Sequence, residues 1–81
     1  MSQSLKFRPQ IRKLRPEDSK AMHEIEKRVY SEPWSQPLLE DSLRAAMTYG
    51  LGLFIDEQLI AYAIYQVILE EGHLLNLATD D

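Results

Sequence analysis

The side chains able to do chemistry in this chain are few and widely spaced. His23 and His73 are its only histidines, and they stand far apart in sequence. No H-E-x-x-H or other close histidine pair occurs, so no metal site is assigned. Cysteine is absent, which removes disulfides, thiolate ligands and a thiol nucleophile. His73 titrates in the range of a general base, but its place at a strand start suits a surface histidine at a hairpin end. Ser31 and Ser35 flank a Pro-Trp pair without a nucleophile elbow, and capping explains Ser35 better than catalysis. The carboxylates Glu24/Glu26, Glu70/Glu71 and Asp80/Asp81 have no spacing that forces a pair across a cleft. Glu26 flanks the apolar stripe of a helix, and these acids are expected to face solvent or support helices. The glycines, Gly50, Gly52 and Gly72, form no phosphate loop. No catalytic residue is assigned. Trp34, the single tryptophan, either staples two helices to a sheet or walls a groove for an extended ligand. Tyr30 and Glu32 stand ready beside it as polar contacts.

These residues need elements to position them. "QIRKLR" (10–15) alternates imperfectly and suggests a strand. "RPED" turns the chain into a helix over about 19–30, with Asp18 as its N-cap. Ala21, Met22, Ile25 and Val29 form its apolar stripe, and Lys20, Glu24, Lys27 and Arg28 face water. Pro33 breaks that helix. Ser35 caps a second helix with Pro37 in its first turn. Leu39, Leu43, Ala46 and Met47 mark its buried face, and Tyr49-Gly50 ends it, Gly50 in a left-handed C-cap. Strands 51–55 and 59–69 make a hairpin around Asp56-Glu57-Gln58. The second of these has few polar positions on either face, so helices are expected to cover both sides of the sheet, or one side to pack heavily. "EEG" (70–72) turns the chain into a last strand, 73–79. There His73, Leu75, Leu77 and Thr79 share one face, with Leu74, Asn76 and Ala78 on the other. The order is strand, helix, helix, strand, strand, strand, an α+β arrangement whose terminal strand has no partner.

The totals set limits. Eighty-one residues suit one domain, with residues 1–9 as a flexible leader and 10–81 as the domain. A net charge of −4 argues against a protein that grips nucleic acid through phosphates. Lys6, Arg8, Arg12, Lys13 and Arg15 still form a local basic stretch, read as a solvent-facing strand and leader. The amino terminus lacks the apolar core of a secretory signal, and no apolar run approaches membrane-span length. A cytoplasmic location with no membrane partner is the expectation.

Three stretches, "IRKLRPEDSKAMHEIEKRVYSEPWS", "GLFIDEQLIAYAIYQVILEEGHL" and "LLNLATDD", together resemble the GNAT acetyltransferase superfamily. The nearest likeness is to its ribosomal-protein-alanine N-acetyltransferases. The resemblance runs from about residue 10 to 81 and matches the N-terminal half of that fold. It implies acetyl-CoA as cofactor and a protein N-terminal amine as acceptor, with ribosomal-protein alanine the family's namesake substrate. It places Leu77, Ala78 and Thr79 along the cofactor's pantetheine arm and acetyl group. Tyr30, Glu32 and Trp34 fall in the acceptor groove. The family's Arg/Gln-x-x-Gly-x-Gly/Ala pyrophosphate loop and its later acid and base have no counterpart in residues 1–81. The chain alone is therefore expected to be inactive, a domain cut before its phosphate loop. The alternative is a stand-alone module that forms a homodimer through strand 73–79.

Overall fold

Alternating apolar positions build an antiparallel meander, and two helices bury one of its faces. The computed structural model describes residues 8–68 and 71–80. Its strands are β1 (Pro9–Lys13), β2 (Thr48–Ile55), β3 (Gln58–Ile68) and β4 (Glu71–Thr79), in spatial order β1-β2-β3-β4. Helices α1 (Ser19–Val29) and α2 (Gln36–Arg44) connect β1 to β2. The β-α-α-β-β-β order agrees with the sequence. Pro9 already belongs to β1; residues 1–7, most of the expected leader, lie outside the described part.

The core lies between the helices and the inward faces of β2–β4. It comprises Leu14, Met22, Ile25, Leu39, Phe54, Leu59, Tyr62, Ile64 and Ala78, with Trp34 and Leu43 packed against it. Both helices sit on the same face of the sheet, since Gly50, Gly52, Phe54, Tyr62, Ile64 and Ala78 all turn inward. The opposite face stays uncovered among the described residues, so of the two expected arrangements it is the one-sided packing that forms. It presents Ile11, Leu51 and Leu77 at 71%, 42% and 51% exposure. Close approach of α2 depends on glycine: a Cβ on Gly50 would stand 2.7 Å from Leu43 Cδ2. That contact, rather than a helix end, is what Gly50 serves. The second helix stops at Arg44, and Met47, at φ 62°, turns the chain into β2. Ala46 and Met47 are consequently exposed rather than buried.

Local chemistry explains the other boundaries. Ser35 caps α2 as expected, its hydroxyl accepting from the Leu38 N–H at 3.2 Å. Asp18 does not cap α1 with its side chain. A 3-10 turn, Pro16–Asp18, leads directly into the helix, so the Asp18 carboxylate reaches back to the Arg15 N–H at 2.7 Å. Arg12 Nη1 and Nη2 also donate to it, at 3.1 and 3.0 Å. Part of the basic stretch is thus occupied within the fold: Arg12 also lies over the Phe54 ring and Lys13 over Tyr49. The β2–β3 hairpin is tighter than expected. Gln58 pairs with Ile55, leaving Asp56 and Glu57, both at positive φ, as a two-residue loop of the type I′ kind. Glu71 and Gly72 pair with Ile68 and Val67 in the ladder rather than forming a turn, and residues 69–70 lie outside the described part.

β4 carries one irregularity. Ile64 faces Asn76 and Tyr65 faces Leu74, which leaves Leu75 as an extra residue in a bulge. Leu74 thereby joins Leu77 on the uncovered face instead of sharing the face of Asn76 and Ala78. Among the described residues no helix is long and apolar enough to cross a membrane.

Two measurements test this account. Glu57→Gly relieves a positive-φ residue with a side chain and should raise stability by about 1 kcal/mol in denaturant unfolding. Burial works to raise the Asp18 pKa, but the Arg12 hydrogen bond, the Arg15 amide and nearby positive charge outweigh it and hold it low. A depressed folded pKa stabilises above the unfolded value, near 3.9, and that contribution is lost as pH falls through the folded pKa. Asp18→Asn should therefore be less stable than wild type at neutral pH. The gap should close in acid below about pH 3.9.

Candidate functional site

The site grows from helix spacing. Met22 and Glu26 are one turn apart, and Ile25 lies between them on the same inward side of α1. All three are buried, Glu26 to 1% exposure. The expectation that Glu26 faces solvent is overturned. The apolar stripe is displaced by one position, so Ala21 and Val29 are exposed and Glu26 takes an inward place. The signal that would have found it was the 22-25-26 spacing, where an acid interrupts an i, i+3, i+4 apolar pattern.

Buried carboxylates need donors, and Glu26 has three. The Trp34 N–H donates to Oε1 at 2.8 Å, the Asn76 Nδ2 donates to Oε2 at 2.7 Å, and the Tyr62 hydroxyl donates to the same Oε2. Burial pushes the Tyr62 phenol far up, and the hydrogen bond to Glu26 adds to the shift, so it remains a donor. One acid thus joins α1, the 30–35 loop, β3 and β4. One turn earlier on α1, His23 Nδ1 meets the Trp34 carbonyl at 2.9 Å. Both polar ends of the Trp34 backbone are held from one helix. His23 thus has a structural partner, and His73 is exposed on β4. Among the described residues no cluster of His, Cys, Asp or Glu could hold a metal.

Tyr30, Glu32 and Trp34 come together: with Glu26 and Asn76 they line one small cleft. Trp34 is partly buried and packs on the core, and the same residue borders the cleft. The β4 residues divide. The Asp80 N–H donates inward to the Ile60 carbonyl at 2.6 Å. By strand alternation Ala78 also directs its backbone groups to β3, and its side chain is in the core. Leu77 and Thr79 direct theirs to the open edge. The Leu77 carbonyl accepts from the Tyr30 hydroxyl, so the cleft and the edge meet at that contact. Asp80 closes the end of the strand: Arg28 donates to it through Nε at 3.1 Å and Nη2 at 2.9 Å.

No protein-family model matches the chain. Over 63 residues it is 35% identical to the [ribosomal protein bS18]-alanine N-acetyltransferase of Salmonella typhimurium, covering 78% of this chain and 42% of that protein. The crystal structure of the ribosomal-protein-S18-alanine N-acetyltransferase from Escherichia coli superposes with a TM-score of 0.82 at 30% identity. That match covers 90% of this chain and 46% of the other. The PaiA N-acetyltransferase from Thermoplasma acidophilum, solved in complex with coenzyme A, has a TM-score of 0.75 at 23% identity. It covers 90% of this chain and 59% of its own, and shares the fold. The chain spans less than half the length of the Salmonella and Escherichia relatives.

Tyr62→Phe tests the buried cluster. It removes one donor from a buried carboxylate and should cost about 1–3 kcal/mol in urea unfolding. An unchanged midpoint would show that Glu26 does not need the phenol.

Proposed function

Because the chain is related to the ribosomal-protein-alanine N-acetyltransferases of the GNAT superfamily, we propose that it forms part of an enzyme acetylating a protein N-terminal amine from acetyl-CoA. In this reading Tyr30, Glu32 and Trp34 form the acceptor wall, and the β4 edge at Leu77 and Thr79 faces the cofactor's amide-bearing arm. The observation that carries it is the Tyr30–Leu77 hydrogen bond, which puts the candidate acceptor cleft and the candidate cofactor edge in contact. Chemistry supports both halves. Glu32 offers an exposed carboxylate to a cationic N-terminus, and Trp34 and Tyr30 offer flat surface to the first side chain. Outward-facing N–H and C=O groups on a strand edge suit a ligand that carries secondary amides. Ala78 contributes to this wall by packing it onto the core rather than by an edge contact.

The site residues fit one part of the cofactor only. The 81 residues contain no glycine-rich loop for a pyrophosphate. Glu26 and Tyr62, the buried acid–phenol pair, are committed to each other. We therefore propose that these residues supply binding surface and no turnover by themselves, with an N-terminal alanine of a ribosomal protein as the acceptor. The alternative, a stand-alone module that forms a homodimer through strand 73–79, would meet the same two occupied groups at Leu77, and it lacks the family likeness that supports the first reading.

Two titrations of the chain decide this. A peptide beginning with a free alanine should shift the NMR signals of Tyr30, Glu32 and Trp34, and the same peptide N-acetylated should not. Equal shifts, or none, would overturn the acceptor assignment. Calorimetry with acetyl-CoA should show no micromolar binding, and a micromolar Kd would refute the claim that these residues lack what the pyrophosphate needs.

A further inference from the structure

Leu77 stands on the free edge of β4, yet both of its polar backbone groups are occupied from within the chain. Its carbonyl accepts from the Tyr30 hydroxyl, and its N–H donates to Asn76 Oδ1 at 2.9 Å. The Asn76 amide has no choice of orientation. A carboxylate accepts only, so Nδ2 must face Glu26, and Oδ1 is left to face the Leu77 N–H. Tyr30 caps the end of α1, its N–H on the Glu26 main-chain carbonyl at 2.9 Å, and the Glu26 carboxylate holds the Trp34 N–H of the loop that follows. No hydrogen bond joins Glu26 to Leu77, but its carboxylate is bonded to Asn76, which caps the Leu77 N–H, and to the loop beside Tyr30, which caps the carbonyl.

We propose that Glu26 is a positioning residue which, through Asn76 and the Trp34 backbone, keeps the β4 edge capped at Leu77. An amide-bearing ligand laid along that edge must then exchange with two internal hydrogen bonds. The functional meaning of this cap rests on the reading of the edge as a cofactor wall. It sets a requirement on ligands. Two secondary amides joined by a short spacer replace both bonds, one giving an N–H to the Leu77 carbonyl and the other a C=O to the Leu77 N–H. An apolar chain replaces neither and leaves the edge closed. Thr79 points the same way along the strand, and no side chain of the described residues caps its N–H, so it is an internal reference.

Amide–water exchange measured by NMR on the ligand-free chain tests the cap. In the wild-type chain the Leu77 amide should exchange about fivefold more slowly than that of Thr79, the ratio expected for one net hydrogen bond. Asn76→Ala should bring Leu77 up to the Thr79 rate, while the Ala78 amide, facing β3, keeps its protection. Glu26→Gln leaves one accepting oxygen for three donors and should also speed exchange at Leu77. Equal wild-type rates at Leu77 and Thr79 would overturn the proposal even if a variant fails to fold. So would an unchanged Leu77 rate in either variant, or an equal acceleration of Leu77 and Ala78, which would mark general loosening. No acetyl-CoA or peptide enters this measurement. Failure of the functional reading would therefore show in the peptide titration and leave the exchange result standing.

Discussion

A carboxylate sealed among apolar side chains must find hydrogen-bond donors or lose its charge. Glu26 finds neutral donors from three separate parts of the chain: a loop amide, a phenol on β3 and a side-chain amide on β4. The arrangement is costly to assemble and costly to leave half made, because every partner removed exposes an uncompensated acceptor. That asymmetry gives the helix, the loop and two strands a single mutual geometry. Apolar contacts among Met22, Ile25, Leu39 and Ile64 hold these elements close, but such contacts tolerate small slides. The directional bonds to Glu26 do not. The cleft beside Trp34 and the edge at Leu77 owe their spacing to that difference.

Sheet geometry then decides which groups a ligand can meet. β4 is an edge strand, and edge strands expose alternate backbone groups to any chain that passes. Here the bulge at Leu75 and the capping of Leu77 interrupt that regular row. Arg28 and Asp80 fasten the strand's far end to the end of α1. The edge is consequently a short set of positions of unequal availability instead of a uniform template. The apolar outer face of the sheet, with Ile11, Leu51 and Leu77, is a separate surface from the cleft, which lies on the helix side.

Much of the architecture was legible in residue order. The helix–strand sequence, the Ser35 cap, the β2–β3 hairpin and the grouping of Tyr30, Glu32 and Trp34 all follow from periodicity, turn chemistry or family likeness. The failures have physical causes. Gly50 reads as a helix end because glycine is common there, but its small size is used for the approach of Leu43, a contact remote in character from any local rule. Met47 took the positive φ instead. Asp18 reads as a cap because nothing local reveals that a 3-10 turn and Arg12 claim its carboxylate. Glu26, Tyr62 and Asn76 were missed as a group because they lie on three elements and meet only through the tertiary fold. Each alone carries an ordinary role, and only their meeting creates a buried acid with its donors.

The connectivity of the meander also bears on the order in which it assembles. β2, β3 and β4 follow one another through short links, so their pairings close small loops and lose little chain entropy. β1 is different: Lys13 stands opposite Leu51, and both helices lie in the intervening chain. Pairings of high sequence separation form late and slow the folding of small domains. The β2–β4 meander is thus placed to form the early scaffold. The first strand of the chain would then add last, once α1 and α2 have docked and drawn Leu14 toward Gly50.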